Sequence, residues 1–259
     1  MTKSLLGTKS IKRAYLIGSD RAHKEPEFSQ DTAKEDFILC DSCEKYFSIL
    51  ETYIATRVHN RLWDIRYADQ FKIIENEGYV SWKVCENVDP LVFRLLIYSI
   101  LWRCSISNTD LCKDFFLSSE EEETLRSMIY SCMHLNQQDL LANIEQYSSI
   151  LQTFPFIFLT AESFADKTPN TLFVNPLTKN PYQLILNEYI LVFSFDHNSE
   201  QQAYGFLNNF DHSMIKIGFL TNELWKSLNS ELIQMVSSRA ASVMKTKGQV
   251  PWIVGKKQG

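Results

Sequence analysis

The sequence predicts an α+β protein: a knuckle-like N-terminal segment and helical core, followed by a small antiparallel sheet closed by a C-terminal helix. Three observations point there. Glycine (8) and proline (7) are scarce among 259 residues, whereas turn-dense all-β folds need both. Between residues 44 and 150, apolar side chains recur mostly at three- and four-residue spacings, the period of a helix. Beyond Thr153 the pattern changes to short runs rich in β-branched and aromatic residues, separated by Asn, Pro and Asp turn signals. That change divides the chain into residues 1–152 (knuckle-like segment, hairpin and helical core) and 153–259 (sheet with C-terminal helix), as two intimate units or one continuous domain. A hydrophobic content of 45% supplies a sizeable core for either.

Residues 1–43 read as an irregular polar entry that ends in Phe37-Ile38-Leu39-Cys40-Asp41-Ser42-Cys43. From Glu44 onward, Tyr46, Phe47, Leu50, Tyr53, Ile54 and Val58 trace one helix face. Phe71 to Ile74 and Tyr79 to Val84 flank Asn76-Glu77-Gly78, the pattern of a hairpin. Asp89-Pro90 opens the strongest helix, with Asp as cap and Pro where a missing N–H is harmless. Phe93, Leu96, Ile97, Ile100 and Leu101 form its apolar face and the expected centre of the core. Ser118-Ser119 followed by Glu120 to Glu123 is a helix start, because negative charge in a first turn complements the helix dipole. A third helix is expected from Gln137 to Ile150. Strands are expected at Phe154 to Thr160, Thr171 to Val174, Tyr182 to Leu186, Glu188 to Phe195 and Met214 to Phe219. A last helix runs from Thr221 to about Lys245, and the tail from Gly248 is expected to be extended.

The net charge of −5, with 26 basic against 31 acidic residues, disfavours a nucleic-acid-coating protein, which needs a basic excess for its phosphate contacts. Lys9, Lys12, Arg13, Arg21 and Lys24 make a local basic set, read as a solvated face. The six cysteines lack disulfide-framework spacing, and lysines and an arginine interrupt the apolar stretches of the first residues. Free thiols and a soluble, cytoplasmic chain follow as expectations. The longest apolar runs, near Phe154 and Tyr189, are too short to cross a bilayer.

Cys40-Asp41-Ser42-Cys43 is the one local motif with metal-ligand spacing, half of a tetrahedral zinc set. Its nearest upstream donor is His23, in His23-Lys24-Glu25-Pro26, and His59 is a more distant one. Cys85, Cys104, Cys112 and Cys132 lie in apolar stretches and read as buried small hydrophobes. Arg103, at the end of an apolar helix, reads as half of a buried ion pair or a helix cap, with a phosphate contact as the sharper alternative. Asp211-His212-Ser213 and Asp196-His197-Asn198 read as turns beside strands, since adjacency in sequence is not triad geometry.

Leu39-Cys40-Asp41-Ser42-Cys43-Glu44, with Phe47 and Ser48, and then Ser99-Ile100-Leu101-Trp102-Arg103, resembles a group of uncharacterised bacterial and mobile-element proteins described as HNH-like. Their pattern is an N-terminal CxxC, an S-H-x-I-P segment, an L-C-x-x-C-E-x-x-F-S motif and a hydrophobic helix ending in Trp-Arg. The resemblance covers about residues 20–130. It implies a zinc knuckle holding Cys40 and Cys43, and a histidine, His23 here, that activates water beside Mg or Mn. No cysteine precedes Cys40, Ala22 stands where such nucleases carry an acidic residue, and Glu44 where many have a histidine. The knuckle is therefore expected to be degenerate, with either no cofactor or zinc. The functional expectation is a non-catalytic accessory protein of a bacterial conflict or phage-defence system, acting through a protein partner or self-association. The alternative is a divalent-metal-dependent nuclease using His23.

Overall fold

A computed structural model describes residues 14–16, 27–29, 39–59, 61–74, 80–109, 112, 115–162, 172–174, 180–186, 189–196, 205–210, 213–228, 230–231 and 234. The fold is α+β. The entry segment, read as irregular, contains a strand pair: β1 (Ala14–Leu16) runs antiparallel to β2 (Glu27–Ser29). Strands of three residues are too short to show alternation, which is why the sequence hides them.

Helix α1 (Asp41–Ile54) begins at the cysteine motif and not after it. Asp41 and Glu44 lie in its first turn and favour a helix start there. The helix then widens into a π-turn over Ala55–His59. Thr56 Oγ1 donates back to Thr52 O at 2.8 Å and to Tyr53 O at 3.1 Å, competing with the backbone for those carbonyls. A 3-10 turn (Ile65–Gln70) leads directly into β3 (Phe71–Ile74), which pairs antiparallel with β4 (Val80–Cys85), as the hairpin pattern implies.

Helix α2 (Pro90–Ile106) starts at the expected cap: Asp89 Oδ1 accepts from the N–H groups of Leu91 at 2.9 Å and Val92 at 3.1 Å. Every residue from Leu91 through Leu101 is buried, so this helix is the axis of the core and not an amphipathic surface element. Helix α3 (Ser119–Ser131) begins with a full capping box, in which Ser118 Oγ accepts from Glu121 N and Glu121 accepts from Ser118 N. The third expected helix is shorter than its pattern suggested. It is α4 (Gln137–Asn143), followed by a 3-10 turn (Ile144–Tyr147).

The second half supplies β5 (Phe156–Ala161), β6 (Leu172–Val174), β7 (Tyr182–Leu186), β8 (Tyr189–Phe193) and β9 (Lys216–Leu220). The sheet they build is larger than expected and mixed. Its order is β3-β4-β9-β5-β8-β7-β6, so the hairpin of the first half joins it through β9. All pairings are antiparallel except β5 with β9, where Leu159 lies opposite Gly218 and Ala161 opposite Leu220. Hairpins announce themselves locally, whereas the neighbours of β9 lie about 60 and 130 residues away and leave no local signal. Residues 222–228 are helical after β9, as are 230–231 and 234; the remainder of the expected last helix and the tail lie outside the described residues.

Both faces of the sheet are covered. Phe156, Phe158, Leu191, Phe193, Ile217 and Phe219 join the main core with α1, α2 and α3, while Ile157, Leu159, Ile190 and Leu220 meet Trp225 of the C-terminal helical segment on the other side. That explains why β5 is buried at every position instead of alternating. On the α2 side, Phe93 stacks on Phe156 with ring centroids 6.0 Å apart and meets Phe158 edge-on at 5.3 Å.

One charged side chain ties these layers together. Arg94 is fully buried on α2, and its guanidinium donates to Phe154 O at 2.6 Å and to Asn209 O at 3.0 Å. Asn209 in turn bonds both flanking strands: its Nδ2 donates to Phe156 O and Lys216 O, and its Oδ1 accepts from Lys216 N at 2.7 Å. Among the described residues, no helix is long and apolar enough to cross a membrane.

Candidate functional site

Among the described residues, two places that gather chemically capable side chains bear on the motifs of the sequence. The first is the start of α1. Cys40 is the N-cap residue with extended backbone (φ −76°, ψ 159°), and Cys43 sits in the first turn. That geometry brings the sulfurs to 3.4 Å from each other. Cys40 is exposed and Cys43 half-buried. No full side-chain cap bond forms at Cys40, yet the Cys43 backbone N–H and then the Cys43 thiol lower the Cys40 thiol from its ordinary value. Burial first, and the neighbouring sulfur second, push the Cys43 thiol up to about 11. The pair is thus asymmetric, the outer thiol shifted down and the inner one shifted up.

Two thiolates can donate to a zinc ion, but a structural site needs four ligands. Among the described residues, no group of three or more His, Cys, Asp or Glu side chains is placed to hold a metal. His23 lies outside the described residues, as do His197, Asp211 and His212. His59 is brought not to the cysteines but to the second place.

The second place is a cleft between α1 with its π-turn, α2, and the sheet. Arg103 Nη1 pairs with Glu51 Oε1 at 2.8 Å, with Glu51 only 1% exposed and the arginine side chain 11%. Arg103 Nε also donates to Ser99 O at 3.1 Å, and its guanidinium lies 4.9 Å from the centroid of the Phe47 ring. Farther along the wall, His59 Nδ1 is 3.3 Å from Tyr189 Oη, and the Tyr189 ring stacks on Phe158 with centroids 4.7 Å apart. Leu96, Ile100 and Leu186 complete an apolar lining. The cleft holds about 510 Å³ of empty space with its open mouth included, but little of it is wide enough for solvent. The walls therefore nearly close on one another.

The expectation of a buried ion pair for Arg103 is therefore realised, and its phosphate alternative has to compete with Glu51 for the same guanidinium. Glu51 and Tyr189 escaped the sequence reading. A signal for Glu51 was present: it stands four residues after Phe47 and three before Ile54, inside the apolar stripe of α1, where a carboxylate needs a buried partner. Arg94 gave the same signal within Leu91-Val92-Phe93-Arg94-Leu95-Leu96. The four remaining thiols, Cys85, Cys104, Cys112 and Cys132, are buried and free.

No protein-family model matches the chain, and neither the curated proteins nor the solved structures yield a significant match.

Proposed function

We propose that this chain works by binding a protein partner, as a non-catalytic accessory component of a bacterial conflict or phage-defence system on a degenerate HNH-like scaffold. The observation that carries this reading is the β3 side of the sheet. β3 ends the described sheet order on that side. Ile73 on this strand is 59% exposed, and Ile65, on the 3-10 turn feeding it, is 89% exposed. An edge strand offers backbone donors and acceptors to another chain, and large aliphatic side chains beside it add apolar area to such pairing. Lys72 on the same strand is exposed, a charge that discourages indiscriminate edge pairing. The negative net charge and the engagement of Arg103 by Glu51 support a protein partner over a nucleic acid.

A photo-crosslinking residue at position 73 tests the reading in cells, with position 126 on the solvent-facing side of α3 as control. Crosslinks to one protein species, a second copy of this chain included, at position 73 and not at 126 are expected. Ile65→Ser with Lys72→Glu should remove them. Plasmid cleavage by the purified protein with Mg or Mn, lost in His23→Ala, would replace this reading with the nuclease one.

A further inference from the structure

We propose that Cys40 and Cys43 form a reversible redox dithiol that exchanges with small-molecule disulfides, a function that goes beyond partner binding and does not rest on it. The geometry points to it in three ways. The sulfurs are already in contact at 3.4 Å, whereas a disulfide needs about 2.05 Å, so no distant group has to be brought in for the bond to form. The backbone permits the approach, because Cys40 is the extended N-cap residue and its hold on the helix is its carbonyl, which accepts from Glu44 N at 3.0 Å. Its side chain can turn without unwinding α1. Finally, the two sulfurs differ in access in the order that exchange chemistry needs. Cys40 is exposed and Cys43 half-buried behind it, while the other four cysteines are buried. An exposed thiol fills no core space, so packing does not account for Cys40.

The reaction balances as two exchanges. The Cys40 thiolate attacks one sulfur of a disulfide RSSR, forming a mixed disulfide and expelling RS⁻, which takes up the proton that Cys40 released. Cys43 then loses its proton and attacks Cys40 Sγ, forming the Cys40–Cys43 bond and expelling the second RS⁻, which is protonated in turn. The protein dithiol is oxidised by two electrons, and RSSR is reduced to two RSH.

The test uses the full chain, reduced and stripped with a chelator, then equilibrated against mixtures of oxidised and reduced glutathione. Acid quenching, alkylation and peptide mapping follow. The expected result is one disulfide, between Cys40 and Cys43, whose population follows the glutathione ratio and reverses on reduction. Cys43→Ser should accumulate a glutathione adduct on Cys40, and Cys40→Ser should react on the order of tenfold more slowly at Cys43. Thiols that stay fully alkylatable at the most oxidising ratio would overturn the proposal, as would a bond mapped to other cysteines. Equal adduct formation in the two variants would also overturn it. So would tightly held zinc that resists the chelator and blocks oxidation, which assigns the pair to a metal. Mapping of the wild-type protein alone decides the first two outcomes, so the result does not depend on the variants folding.

Discussion

The Glu51–Arg103 pair carries a cost and a gain that are separable by mutation. Glu51→Gln leaves a guanidinium in a nearly closed cleft without its carboxylate, and should destabilise by about 3–5 kcal/mol in urea titrations. Replacing both partners with apolar residues, Glu51→Leu with Arg103→Met, should cost less than the single change, because no charge is then left behind. The buried thiols predict an alkaline limit. Burial pushes both Cys85 and Cys132 up to about 12, while an unfolded thiol ionises near 8.5, an approximate value. Between those values the unfolded chain has lost protons that the folded chain keeps, so stability is fully present below the lower value and declines as pH rises toward the upper one. Denaturation midpoints at pH 8 and 10.5 should show that decline, and Cys85→Ala with Cys132→Ala should make it shallower, the remainder belonging to Cys43, Cys104 and the buried tyrosines, whose pKa values the fold also raises. At this scale the sequence was legible where a residue contradicted its surroundings, as Arg103 did. It was opaque where a residue type fitted its surroundings: Tyr189 looks like any strand aromatic until His59 is placed beside it.

Helices were the most legible elements because their ends carry their own chemistry. Asp89-Pro90 and Ser118 with Glu121 mark α2 and α3 within a residue of their observed starts. Asp89→Ala should cost about 1 kcal/mol through the lost cap. Leu96→Ala, at the middle of the buried run of α2, should cost about 2–5 kcal/mol. An unchanged denaturation midpoint for the Leu96 variant would remove α2 from the core. The start of α1 was misread because a cysteine pair suggests a metal turn more strongly than it suggests a helix cap. In α4 the pattern persisted while the backbone did not: apolar spacing continues through Ile150, but the chain tightens to 3-10 geometry from Ile144, and the two periods are too close to separate over one turn.

For the molecule as a whole, the α+β class could be read from the sequence but the strand order could not. Alternating runs announce strands, and nothing local announces that β9 enters between β4 and β5. One residue records that placement. A Cβ on Gly218 would come within 2.7 Å of Leu159 Cδ2 and 2.8 Å of Leu207 Cδ1. Gly218→Val should therefore overpack the sheet's centre and cost about 1–3 kcal/mol, read as a fall in the urea midpoint at constant slope. The position of β9 also sets a timetable for biogenesis. A ribosome delivers β3, β4, β5 and β8 well before residues 216–220, and until then the two parts of the sheet present facing raw edges with no strand to join them. Helix α2 has by then emerged with nearly all of its surface greasy. A chain stalled at residue 215 should be digested readily by protease and held by chaperones, whereas one stalled far enough past residue 234 to free β9 should resist digestion. The joining of the two parts of this sheet waits on those five residues.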